Sequence, residues 1–152
     1  MKFSNVFLDK TYTETDDLLR TSRDYLKWQA PLDVKKLTLQ ERNRITHEAM
    51  RVAIRLSQIS AWLMVQKAVH TQAISREEAL SKEYEVFRKL ACLNTASERD
   101  PALPLRLREL LKESRLLYLR ILRLDHTFRT QKPNSPHKDF LSNAPKAEGG
   151  RP

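Results

Sequence analysis

The side chains that could do chemistry are few and poorly spaced for it. His47-Glu48 opens like the helical zinc-protease motif, but the position that needs the second histidine holds Arg51. The four histidines, His47, His70, His126 and His137, share no metal-ligand spacing, and the one cysteine, Cys92, supports no zinc cluster. Cys92 falls between Ala91 and Leu93 on an expected helix, which suits a small buried hydrophobe better than a nucleophile. Glu77, Glu78, Glu83 and Glu85 crowd a helix start, where carboxylates favour the dipole and face solvent rather than pair for acid–base work. No catalytic residue, metal ligand or cofactor site is expected, and the chain reads as a non-enzyme.

Two other groupings suit binding rather than catalysis. Arg51, Arg55, Gln58 and Trp62 step by four, three and four along one helix face. Arginine and tryptophan are enriched where partners dock, so a mixed polar and aromatic stripe beside an apolar seam fits a protein interface. The alternative is a core tryptophan covered by arginine stems. The last helix carries Arg106, Arg108, Lys112, Arg115, Arg120, Arg123 and Arg129, a set able to meet phosphate. Glu109, Glu113 and Asp125 sit among them, and no helix-turn-helix spacing, stacking strip or zinc finger accompanies them. A basic helical nucleic-acid-binding regulator is therefore the alternative reading, resting on a net charge of +9.

Composition narrows the scaffold that positions these residues. The chain has 152 residues and two glycines, Gly149 and Gly150, so its first 148 positions contain none. Phosphate-cradling loops, dinucleotide fingerprints and tight hairpin turns all lean on glycine, and those classes are excluded. One cysteine cannot form an internal disulfide, and no leader pattern opens the chain. The most apolar stretch, 49–69, carries Arg51, Arg55 and Lys67 and is no membrane span. A reduced, cytoplasmic setting without membrane insertion is expected.

Helix boundaries are written in capping chemistry. Thr38-Leu39-Gln40-Glu41 and Ser75-Arg76-Glu77-Glu78 both have the capping-box form. Asp100-Pro101 offers a cap followed by proline in the first turn. An earlier helix, roughly Glu14 to Trp28, is expected to end before Pro31. Ile45, Ala49, Val52, Leu56, Ile59 and Leu63 form a heptad seam on the second helix. Leu103, Leu107, Leu110, Ser114, Leu117, Ile121, Leu124 and Phe128 form another on the last. A shorter third helix places Leu80, Tyr84, Phe87 and Ala91 on one stripe. The expected fold is all-α: an antiparallel bundle of three long helices plus one short one over 1–130, then a disordered tail over 131–152 holding Phe140-Leu141 as its one apolar pair.

The second helix carries a second apolar stripe, Met50, Ile54, Ala61, Met64 and Ala68. Two stripes mean burial on opposite sides. Either the helix is central, or its second face meets another subunit, with Ala53, Ser57, Ser60 and Ala61 small enough for a close approach. A homodimer is the expectation.

The segment 48–69 resembles the central helix of the alphaproteobacterial RcdA-like family, the regulators of CtrA degradation. That helix runs E-S-M-R-L-T-x-R-L-x-Q-x-x-S-W-L-L-x-Q-R-A-V, and Glu48, Met50, Arg51, Arg55, Leu56, Gln58, Trp62, Leu63, Gln66, Ala68 and Val69 fall in register. Tyr25-Leu26 and the Ile74-Ser75-x-Glu77 restart also match, so the resemblance spans about 12–128. Ala49, Val52, Ile54 and Ser57 depart from it, as do Ser60-Ala61 and Lys67. The resemblance implies a helical adaptor, similar to dimeric family members, that helps deliver clients to the ClpXP protease in the cell cycle. It implies as partners ClpX or its response-regulator partner, together with client proteins. It makes Arg51, Arg55, Gln58, Trp62 and Gln66 the candidate protein-binding positions.

Overall fold

The structure, a computed structural model, describes residues 3–86 and 90–131. These residues form helices and turns with no strand among them. The first helix, α1 (Asn5–Asp24), starts well before the expected Glu14, at a cap where the Ser4 hydroxyl accepts from the Phe7 N–H. Its inward stripe is Leu8, Thr11, Thr15 and Leu18. The two threonines turn their hydroxyls back to the carbonyls of Phe7 and Thr11, at 2.9 and 2.7 Å, so polar residues line a buried face without loss.

The chain also does not stop before Pro31. A single π turn, Tyr25–Gln29, leads into α2 (Ala30–Asp33), and Pro31 falls in that first turn, where its missing N–H needs no acceptor. The extra residue of a π turn separates the buried positions Tyr25 and Ala30 by five, and Leu26 and Trp28 between them bulge outward.

The long α3 (Leu39–His70) opens with the expected capping box, Thr38 with Glu41. Its seam residues Ile45, Ala49, Val52, Leu56, Ile59 and Leu63 are all buried, packed between α1 and the last helix. It ends in a left-handed turn at Gln72, φ 61°. There the Gln72 N–H reaches the Val69 carbonyl and the Ala73 N–H reaches that of Ala68.

From Ser75 the expected short helix forms its capping box but lasts one turn, α4 (Arg76–Ala79). The chain then runs as a strap of short pieces: a 3-10 turn at Lys82–Tyr84, α5 (Leu90–Leu93) and a 3-10 turn at Ala96–Arg99. Phe87 and the Ala91 side chain lie outside the described residues. Helix α6 (Leu105–Thr130) begins after Pro104 instead of at Asp100-Pro101. The Asp100 carboxylate instead closes a turn on the Ala102 N–H, and Leu103, ahead of proline, is steered away from helical geometry. The α6 seam is buried from Leu103 through Phe128, with Leu124 half-buried.

Pairings across the bundle give the topology. Glu14 of α1 meets Arg120 of α6, and Phe3 packs near Phe128, so α1 runs antiparallel to α6. Tyr12 lies against Lys67, which makes α1 antiparallel to α3 as well. The strap descends along the α3–α6 seam, from Arg76 beside Phe128 to Asp100 beside Arg44. Each element is thus antiparallel to its neighbour in sequence, and α3 and α6 end up parallel because the strap returns the chain between them. The residues expected to form a tail, 132–152, lie outside the described residues.

Candidate protein-binding site

Residues 51, 55, 58, 62 and 66 share one face of α3, and the structure brings them together along the strap and α6 rather than on an open surface. Arg55 is fully buried. Its Nε donates to the Cys92 carbonyl at 2.8 Å, and Nη1 donates to the Leu111 carbonyl at 2.7 Å and to Ser114 Oγ at 3.2 Å. Burial lowers its pKa to about 10, the nearby Cys92 and Glu98 opposing that shift only in part, so it stays a cation at neutral pH.

Trp62, 2% exposed, donates from Nε1 to Asp125 Oδ1 at 3.0 Å and meets the Phe3 ring edge-on, centroids 5.3 Å apart. Asp125 in turn accepts from Arg129 Nε at 2.9 Å and from the strap's Val86 N–H at 3.4 Å. Arg129 Nη1 continues to the Leu80 carbonyl at 2.9 Å. Gln66 is 4% exposed. Gln58 is half-buried and accepts from the Tyr118 hydroxyl at 3.3 Å. Arg51, whose side chain keeps about a tenth of its surface, pairs with buried Glu48 at 3.0 Å, and Glu48 accepts from Ser97 Oγ at 2.8 Å.

These contacts explain why the strap is not a helix. The carbonyls of Leu80 and Cys92 and the N–H of Val86, which a helix would bond internally, are taken by Arg129, Arg55 and Asp125. Of the five candidate positions, Arg55, Trp62 and Gln66 are buried, and for Trp62 the fold takes the core alternative. Trp62 is a core residue with its one polar atom satisfied, and only Arg51 and Gln58 reach the surface. Sequence reasoning missed Glu48, Ser97, Glu98, Asp125 and Arg129 as members of this network. The one signal available was Ser114, a hydroxyl in an otherwise apolar seam.

The arginines of α6 are largely spoken for. Arg106 pairs with Glu109, Arg115 with Glu98, Arg120 with Glu14 and Arg129 with Asp125. The Glu98 hydrogen bonds hold the Arg115 pKa above its ordinary value. Cys92 is buried, and His47 stands with its side chain 72% exposed. His137 lies outside the described residues. Among the described residues no group of three or more histidines, cysteines or carboxylates could hold a metal, and no helix is long and apolar enough to cross a membrane.

The outward face of α3 is apolar. Met50 is 58% exposed and Met64 67%, with Ile54 and Ala61 between them on the surface. This is the second stripe of the sequence, and none of the described residues covers it.

Comparison with known proteins agrees with this architecture. No curated protein matches the chain. RcdA from Caulobacter crescentus CB15 has a crystal structure that superposes with a TM-score of 0.65 at 30% sequence identity, covering 87% of this chain and 98% of that one. A family described as "Protein of unknown function (DUF1465)" matches residues 2–146. With a family match over 2–146 and a superposition on RcdA over nearly the full length of both chains, this chain belongs to the DUF1465 family and is related to RcdA.

Proposed function

We propose that this chain is a non-enzymatic adaptor that helps deliver client proteins to the ClpXP protease in cell-cycle-regulated proteolysis, and that it works in the cytoplasm as a homodimer. The likeness to RcdA over nearly the full length of both chains carries this reading. The dimer is supported by the uncovered stripe of Met50, Ile54, Ala61 and Met64, which suits an isologous contact of ordinary size, about 800 Å² per partner. In this reading Arg51 and Gln58 touch a partner, and the buried Arg55, Trp62 and Gln66 support them from beneath. Pairing of four α6 arginines with carboxylates leaves less free charge for phosphate, which weighs against the nucleic-acid alternative.

The test is binding of purified full-length chain to ClpX, to its response-regulator partner and to candidate clients, with solution mass measured alongside. Capture of ClpX or the response regulator, and a dimeric mass, are expected. Absence of binding to every one of them, together with tight binding to duplex DNA at low salt, would overturn the proposal.

A further inference from the structure

On the flank of α3 that faces α1, meeting the stripe proposed for the dimer at Met50, lies an apolar groove that the fold leaves open. It has two confluent halves of about 470 Å³ each, which share Leu26, Ala49 and Ala53. Alanines form the floor, so the two helix backbones approach without side chains to fill the space. The π turn pushes Leu26, 46% exposed, out between the halves. One end is bounded by Leu19 and the other by Val34. The helical path between them, through the end of α1, the π turn and α2, is about 22 Å long, four turns of a helix.

The charges on the walls have one sign. Arg23 at the end of α1 and Lys27 in the π turn, four residues on, are the only charged residues among the described ones lining either half. Arg23 is bonded to its exposed neighbour Asp24, a surface pair that a ligand carboxylate can displace. Lys27 rests over the exposed Trp28 ring, 4.7 Å from its centre. Lys35 and Lys36 continue the cationic edge past Val34, both exposed. Among the described residues none of these three lysines is in an ion pair. A second copy of this chain would bring the same cationic rim to meet this one, whereas an acidic ligand would neutralise it.

We infer that the groove receives one amphipathic helix of a partner protein, about four turns long, with leucine-like residues at i, i+4, i+7 and i+11 and Asp or Glu along the edge that faces Arg23 and Lys27. This deepens the adaptor reading by giving the docked partner a chemistry, and rests on it only for the partner's being a client.

The experiment uses the full-length chain and two labelled 16-residue helical peptides with the same apolar face, one flanked by glutamates and one by lysines. The glutamate peptide is expected to bind at least tenfold more tightly, to weaken as salt rises, and to change the emission of Trp28. Ala53→Gln, a neutral helix-forming substitution at an exposed position, is expected to abolish binding of both peptides with the circular dichroism unchanged. Lys27→Glu with Arg23→Glu is expected to reverse the preference, a result that loss of folding cannot imitate. Equal binding of both peptides, or no binding of either, overturns the proposal. So does a wild-type dimer that Ala53→Gln turns into a monomer, since the groove would then be the contact between copies. Failure of the adaptor reading would show separately, as peptide binding that persists in a chain unable to capture ClpX or its response regulator.

Discussion

Replacing Arg55 by methionine separates two roles that a buried arginine can have. The side chain is inaccessible to solvent and donates three hydrogen bonds, one of them to the strap at Cys92 and two to α6 at Leu111 and Ser114. Bonds from a charged donor contribute about 1.5–3 kcal/mol each, so the loss of three costs about 4.5–9 kcal/mol. Against that stands the penalty of keeping a cation dry. A pKa depressed from 12.5 to about 10 corresponds to about 3 kcal/mol, which methionine does not incur. Methionine also fills a similar volume flexibly. The net global loss is therefore about 1.5–6 kcal/mol, smaller than the hydrogen bonds alone would give. The local effect falls on the strap. Leu111 and Ser114 stay within α6, but the Cys92 carbonyl loses its partner, and opening of residues 90–99 becomes about tenfold to a hundredfold easier. Urea unfolding gives the first quantity, and amide hydrogen exchange of the strap against that of α6 gives the second. Unchanged protection at 90–99, or a global loss above about 6 kcal/mol with uniform loss of protection, would show that Arg55 braces the α3–α6 contact rather than pinning the strap.

Two further substitutions test local reasoning. Gln72 occupies the left-handed position that closes α3, where a Cβ is unfavourable, so Gln72→Gly is expected to stabilise by about 1 kcal/mol and raise the melting temperature by about 2–4 °C; a lower melting temperature would contradict this. The Glu41 carboxylate is held below its ordinary pKa, first by the Thr38 N–H and then by its hydroxyl. Its contribution is present above the ordinary glutamate range and is lost as pH falls through the depressed value. The stability difference between wild type and Glu41→Gln should therefore be visible at neutral pH and shrink as pH falls below the ordinary glutamate range, as measured by thermal melts across that window.

Much of this architecture was legible in the residues, and the rest was hidden for identifiable reasons. The two heptad seams and the capping boxes at Thr38 and Ser75 are local patterns, and each forms as its spacing demands. The start of α1 was obscured because Thr11 and Thr15 break an apolar stripe, and only the hydroxyl bonds back to the helix make them fit to bury. Pro31 reads as a stop, yet a π turn ahead of it lets the helical path continue. The strap could not be read locally at all, since what fixes it are side chains 37 to 49 positions away, such as Arg55 on Cys92 and Arg129 on Leu80. The family resemblance singled out a stripe on α3 that the fold turns inward at Arg55, Trp62 and Gln66. Periodicity does not say which way a stripe of arginine, glutamine and tryptophan faces, because a dry arginine bonded to carbonyls has the same letter as a solvated one.

A segment whose backbone is held by side chains from elsewhere is relieved of the need to be a good helix. Ser81, Asn94, Thr95, Pro101 and Pro104, all weak helix formers, sit in and just beyond the strap without disturbing the bundle. Variation in length and sequence can therefore accumulate between Ser81 and Pro104 so long as three anchorage points on the long helices persist. The restraint falls instead on Arg55, Asp125 and Arg129, whose side chains hold the strap backbone. The strap is the part of this fold that evolution can rewrite, and the polar stripe beneath it is the part that it must keep.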